Sequence, residues 1–207
     1  MSSSLLRGLY FVTPESEAGR TGLVAAALRG GARLVQYRDK SGPSDRRLRE
    51  ARILLAMCRE ADALFLVNDD VELCMAVGAD GVHLGEDDAG ITDARARLGP
   101  EYLIGASCYN DLGRAHAAED AGADYVAFGS VFPSPTKPDA RRVDLHLLRR
   151  ACRELRVPVC AIGGITPENA APVVAAGADM VAVIQSISES ADPEAAARRL
   201  QSLFTRE

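Results

Sequence analysis

The sequence predicts a single-domain (β/α)8 barrel, the TIM barrel, and three observations carry that reading. Eight short apolar runs of strand type alternate with eight helical patterns along the 207 residues. A Gly-Ala-Asp turn recurs at 78–80, 122–124 and 177–179, each time just ahead of a strand. The polar residues best suited to chemistry gather where strands end, the face on which barrels place their sites. An open doubly wound sheet is the alternative, but eight short units at regular spacing favour closure.

In chain order, Leu9 to Val12 is the first apolar run, and a helical stretch near 17–29 follows it. Leu34 to Tyr37 precedes a helix near 44–60, and Leu64 to Val67 precedes one near 70–77. Gly81 to Leu84 leads to 92–98, and Leu103 to Ala106 leads to 111–121. Tyr125 to Phe128 is followed by 144–154, Val159 to Ile162 by 167–176, and Met180 to Ile184 by 193–204. Gly31-Ala32-Arg33 is a degenerate fourth copy of the turn. Its glycine, like the others, can take the left-handed conformation that ends a helix. The four copies precede the second, fourth, sixth and eighth strands, so the repeat unit is a pair of βα units. One segment breaks the rhythm: residues 132–143, with Pro133, Pro135 and Pro138, read as a mobile lid or binding loop.

Apolar residues at 47% and charged residues at 26% suit a globular protein with one sizeable core. A net charge of −5 argues against a nucleic-acid partner, which would call for a basic excess. A phosphorylated small molecule would need a local cationic patch or a metal instead. The five cysteines form no Cys-x-x-Cys pair and read as reduced thiols. The start has no apolar signal core, and no stretch is long enough to span a membrane. The expectation is a cytoplasmic protein with small-molecule partners, with room left for a homo-oligomer.

Gln36, Arg38 and Lys40 follow the second strand at alternate positions, so in extended chain they share a face. An amide, a planar guanidinium fork and a mobile ammonium together suit a diphosphate, although a solvated strand end is the plain alternative. Asn68-Asp69-Asp70 ends the third strand and Glu86-Asp87-Asp88 the fourth. Mg²⁺ takes a few carboxylates together with substrate phosphate oxygens, and two neighbouring acidic strand ends could supply them. Asp69 or Asp70 could equally cap the next helix, and Asp87 could be a solvated loop residue. Ser107 after the fifth strand is a small polar group that could meet a substrate ring or simply form a turn.

Ser134-Pro135-Thr136-Lys137, in the long loop, reads as a phosphate clamp, or else as a surface loop with an incidental lysine. Gly163-Gly164-Ile165-Thr166-Pro167 after the seventh strand and Ile184-Gln185-Ser186 after the eighth fit the phosphate-binding place of many barrels. There Thr166 and Pro167 are expected as an N-cap and first helical residue. His83, inside the fourth strand, reads as a packed and hydrogen-bonded group, while His116 and His146 are expected to face solvent.

Taken in order, Gln36-Tyr37-Arg38-Asp39-Lys40, Asn68-Asp69-Asp70, Gly85-Glu86-Asp87-Asp88, Ser134-Pro135-Thr136-Lys137 and Ile162-Gly163-Gly164-Ile165-Thr166 closely resemble the thiamine phosphate synthase family. The likeness runs from about Leu9 to Leu203. It implies joining a hydroxymethylpyrimidine diphosphate to a thiazole phosphate, with release of pyrophosphate. It also implies that Gln36, Arg38, Lys40, Asn68, Ser107 and Lys137 hold the pyrimidine diphosphate, and that Arg38, Lys40, Ser107 and Lys137 are the catalytic groups. Mg²⁺ would sit on Asp69 and Asp88. Ser134, Thr136, Gly164, Ile184 and Gln185 would meet the thiazole phosphate.

Three positions depart from the family pattern. Ser134 stands where Thr is usual, Gln185 where Ser is common, and Tyr109 where His is frequent. The thiazole tautomerases share much of this pattern but generally lack the Asn-Asp-Asp and Asp-Asp segments kept here. They also carry their catalytic His near Tyr109, so the synthase reading is preferred. A non-catalytic barrel that senses a thiamine precursor would use the same anion clusters.

Overall fold

The apolar runs become eight parallel strands: β1 Gly8–Val12, β2 Leu34–Tyr37, β3 Leu64–Asn68, β4 Gly81–Leu84, β5 Leu103–Tyr109, β6 Tyr125–Phe128, β7 Val159–Ile162 and β8 Met180–Val183. They hydrogen-bond in chain order, and β8 returns to β1, so the sheet is a closed barrel. The computed structural model describes residues 6–16, 18–40, 44–85, 90–133 and 142–205. Around the strands lie α1 Arg20–Arg29, α2 Ser44–Glu60, α3 Val71–Val77, α4 Ile91–Leu98, α5 Leu112–Asp120, α6 Leu145–Glu154, α7 Ala171–Ala175, α8 Gln185–Ser188 and α9 Pro193–Ser202.

The period-two alternation of strands divides the core in two. Tyr10, Val12, Leu34, Leu64, Leu66, Tyr125, Cys160 and Met180 fill the barrel interior. Their neighbours Leu9, Phe11, Val35, Tyr37, Phe65, Val67 and Val82 face outward and pack under the helices. Because a closed parallel sheet is covered on both faces, each strand reads as a nearly unbroken apolar run. Helix starts are set by short acidic caps: Asp70, Asp111, Asp144 and Asp192 each accept a backbone N–H from the first turn.

The Gly-Ala-Asp repeat has a specific structural job. Gly31, Gly78, Gly122 and Gly177 all take positive φ, as a helix-ending turn requires. The aspartate that follows then reaches back to the strand before it. Asp80 Oδ2 accepts the N–H of Phe65 at 2.7 Å, Asp124 Oδ2 that of Ile104 at 2.7 Å, and Asp179 Oδ2 that of Val159 at 2.9 Å. The degenerate copy has Arg33 instead of aspartate, which cannot accept. There the N–H of Leu9 donates to Oε1 of Gln201, on α9, at 2.7 Å. The C-terminal helix thus supplies the acceptor that the first repeat lacks and ties the two chain ends of the barrel together.

Candidate active site

Successive residues of the β2 end point to two opposite faces, and both faces matter. Gln36 is buried in the interior, where its Nε2 donates to the Tyr10 hydroxyl at 2.6 Å. Arg38 and Lys40 continue the same face out to the barrel mouth. Arg38 Nη1 pairs with Glu15 at 2.7 Å, and Lys40 Nζ pairs with Asp69 at 2.8 Å. The opposite face carries Tyr37 and Asp39, both buried. Beneath them lies Arg20, only 1% exposed, whose guanidinium pairs with Glu50, approaches Asp39 at 3.5 Å and sits 5.3 Å from the Tyr37 ring centre. Tyr37 donates to the same Glu50 carboxylate at 2.9 Å, and Arg46 pairs with Asp39 at 2.5 Å. A charged network under the strand end therefore holds the segment from which Arg38 and Lys40 project.

At the β3 end the three acidic-segment residues separate by role. Asp70 caps α3 through the N–H of Leu73 and pairs with Arg47, which answers the capping alternative in its favour. Asp69 does neither: its φ is +63°, a left-handed conformation that aspartate tolerates better than most residues. That conformation leaves its partly accessible carboxylate beside Lys40. An accessible carboxylate next to a cation suits a hard ion that also takes phosphate oxygens, so Asp69 fits the expected Mg²⁺. Asp88, the second expected ligand, lies outside the described residues. Among the described residues no group of three His, Cys, Asp or Glu could hold a metal by itself.

Ser107 lies within β5, not after it, because that strand runs on to Tyr109. The register slips between Ser107 and Tyr109, and Tyr109 takes φ +53°. This bulge turns the Tyr109 ring toward Arg114, whose guanidinium lies 5.8 Å from the ring centre. Ser107 keeps its inward face, with Oγ 2.9 Å from His83 Nε2. His83 is indeed packed and hydrogen-bonded; its Nδ1 lies 2.8 Å from the Tyr125 hydroxyl. Room for that phenol comes from Gly105, where a Cβ would collide with the Tyr125 ring.

The loops after β7 and β8 differ in part from expectation. Thr166 caps the turn it opens, its Oγ1 accepting the N–H of Glu168 at 3.3 Å, but α7 begins only at Ala171. Asn169 completes that turn: its Oδ1 accepts the N–H of Thr166 at 2.7 Å and its Nδ2 donates to Gly164 O at 2.9 Å. The two side chains act reciprocally, in the manner of a capping box. The short helix α8 begins at Gln185 directly after Ile184, which the sequence patterns did not foresee. Gln185 Nε2 donates to Glu189 at 2.9 Å. Gly164 has φ +62°, and a Cβ there would strike the Pro133 carbonyl oxygen and lie 2.8 Å from Phe132 Cβ. The β7 loop and the base of the long loop therefore touch backbone to backbone, reinforced by Phe132 N–H to Gly163 O at 2.9 Å. Ser134, Thr136 and Lys137 lie outside the described residues. Gly164→Ala is expected to push this contact apart and cost about 1–3 kcal/mol of stability. Urea unfolding reads the loss directly; an unchanged midpoint would show that the contact yields freely.

Burial raises the pKa of the Tyr10 and Tyr125 phenols, so both keep their protons at neutral pH. The Cys58, Cys74 and Cys108 thiols are likewise pushed up by burial to about 12. They are core residues with no nucleophilic role. Arg20, Glu50, Tyr10, Tyr125 and Asn169 escaped the sequence-level site list. The two tyrosines carried the one usable signal, a hydroxyl inside an otherwise apolar strand that must find a partner when buried.

Residues 9–187 match the family model described as thiamine monophosphate synthase. The thiamine-phosphate synthase of Thioalkalivibrio sulfidiphilus is 56% identical over 202 residues, 96% of each chain. That of Nitrosococcus oceani is 52% identical over 207 residues, covering 98% of this chain and 94% of the relative. Among solved structures, thiamine phosphate pyrophosphorylase from Pyrococcus furiosus superposes with a TM-score of 0.90 at 39% identity, covering 98% of this chain and 96% of its own. A 3-hexulose-6-phosphate synthase from Salmonella typhimurium, at 19% identity and TM-score 0.73, shares the fold alone.

Proposed function

The chain belongs to the thiamine monophosphate synthase family, and from that membership and its barrel mouth we propose that it makes thiamine phosphate. The substrates are 4-amino-2-methyl-5-hydroxymethylpyrimidine diphosphate and a thiazole phosphate; the second product is pyrophosphate. The observation that supports this most is the convergence at one barrel end of Arg38, Lys40 and Asp69, from adjoining strand ends, with Ser107 inside the same mouth. Cations for a diphosphate thus lie close to a carboxylate for a metal and a hydroxyl for a ring.

Little covalent chemistry is asked of the protein. The electron-rich pyrimidine expels pyrophosphate and leaves a stabilised cation, which the thiazole nitrogen captures. The residues act by matching charge and by alignment. Arg38, Lys40 and Lys137 neutralise the departing diphosphate; Asn68 and Gln36 help to hold the pyrimidine diphosphate, and Ser107 orients the ring. Arg38 and Lys40 pair with Glu15 and Asp69, so these carboxylates keep both cations oriented until the diphosphate exchanges for them. Bound at Asp69 and Asp88, Mg²⁺ would supply further positive charge beside the leaving group. Ser134, Thr136, Gly164 and the backbone at Ile184 and Gln185 receive the thiazole phosphate. Five free cysteines fit a reducing cytoplasm.

The test is to mix both substrates with Mg²⁺ and to follow thiamine phosphate and pyrophosphate together. Equal amounts of the two products are expected, with no turnover once the metal is chelated. An isomerised thiazole as the sole product would assign a tautomerase, and tight binding without turnover a sensor.

A further inference from the structure

Four hydrogen bonds join five side chains from five strands into one chain through the barrel interior. Gln36 Nε2 donates to Tyr10 Oη at 2.6 Å, and Tyr10 Oη lies 2.8 Å from Tyr125 Oη. Tyr125 Oη lies 2.8 Å from His83 Nδ1, and His83 Nε2 lies 2.9 Å from Ser107 Oγ. The first four members are at most 9% exposed. The rings support one another as well: Tyr10 meets Tyr125 edge-on at 6.0 Å, and His83 stacks on Tyr125 at 5.6 Å.

Counting hydrogens gives this chain a direction. An amide nitrogen can only donate, so Tyr10 accepts from Gln36. A buried hydroxyl hydrogen left without an acceptor is costly, so Tyr10 gives its own to Tyr125. Tyr125 then gives its hydrogen to His83 Nδ1. A neutral imidazole that accepts at Nδ1 carries its hydrogen on Nε2, and that hydrogen goes to Ser107. Ser107 accepts from behind, and its own hydroxyl hydrogen is left to donate forward into the barrel mouth.

We propose that Tyr10, Tyr125 and His83 are positioning residues that hold Ser107 as a hydrogen-bond donor, so that it selects a substrate ring by an acceptor atom such as a ring nitrogen. The inference rests on the reading of Ser107 as the group that orients the pyrimidine. With the chain reversed, His83 would accept from Ser107 and the hydroxyl would face the substrate as an acceptor, matching an amino group instead.

Nitrogen-15 NMR of histidine-labelled protein without substrate reads the tautomer directly. His83 is expected neutral with its hydrogen on Nε2 near pH 7; a hydrogen on Nδ1 would overturn the proposal, whatever reaction the protein catalyses. Turnover supplies the second arm. Tyr125→Phe is expected to lower kcat/KM for the pyrimidine diphosphate by about tenfold, the worth of one oriented hydrogen bond. KM for the thiazole phosphate should stay within about twofold. In a Ser107→Ala background the same substitution should change little, because its target is gone. Full additivity of the two substitutions would mean that Tyr125 only packs. If Tyr125→Phe does not fold, the wild-type tautomer still decides the matter, and an absence of synthase activity in the wild type leaves that arm readable.

Discussion

Asp69→Asn is expected to lower kcat by about 10²–10³-fold while leaving the protein folded, the usual cost of one well-placed electrostatic group. Asparagine is the informative replacement because Asp69 sits at φ +63°. Asparagine tolerates that conformation nearly as well as aspartate, whereas alanine would add backbone strain to the loss of charge. The substitution removes a partner of Lys40 and one of the two proposed metal ligands together. Two measurements separate these effects. The Mg²⁺ concentration for half-maximal rate should rise if the carboxylate binds metal, while the thermal midpoint should hold if the αL turn is preserved. Near wild-type turnover at saturating Mg²⁺ would remove Asp69 from the mechanism. Lys137→Ala carries the same expected loss, for a cation proposed to meet the departing diphosphate.

Arg20→Met is expected to be the most destabilising change, by about 3–5 kcal/mol, the scale seen when one partner of a buried ion pair is removed. Arg20 contacts Glu50 and Asp39, and the side chains of Arg20 and Asp39 are fully shielded from solvent. Without the guanidinium, two carboxylates remain beside the Tyr37 phenol with less positive charge to balance them. A drop in thermal midpoint on the order of 10 °C follows for a chain of this size. Pairing the change with Glu50→Gln should recover part of the loss, since it removes one stranded charge. A loss below about 1 kcal/mol would mean that Arg46 alone supports the β2 end.

The clean appearance of the barrel in the sequence has a physical cause. Strands covered on both faces must be apolar throughout, and their connections need positive-φ turns, so Gly78, Gly122 and Gly177 mark the units plainly. The sequence left the α3 cap open between Asp69 and Asp70, and the structure gives it to Asp70 through the N–H of Leu73 three residues on. The sequence could not foresee that Thr166 caps a separate turn shared with Asn169, with α7 starting only at Ala171. Nor could it foresee that Gln201 answers the N–H of Leu9 from the far end of the chain. Arg20 carries no local signal, because its burial against Glu50, Asp39 and Tyr37 comes from tertiary packing.

What the sequence by itself determined is the closed barrel, its strand boundaries to within a few residues, the shared face of Gln36, Arg38 and Lys40, and the family. Those follow from periodicity and turn chemistry, which act between residues a few positions apart. The tertiary structure alone decided which polar groups meet. Gln36, Tyr10, Tyr125, His83 and Ser107 come from β2, β1, β6, β4 and β5, and they touch only because closure points their side chains at one axis. Each obeys its own strand's alternation, but the partner of a buried hydroxyl is chosen across the barrel, where sequence distance carries no information.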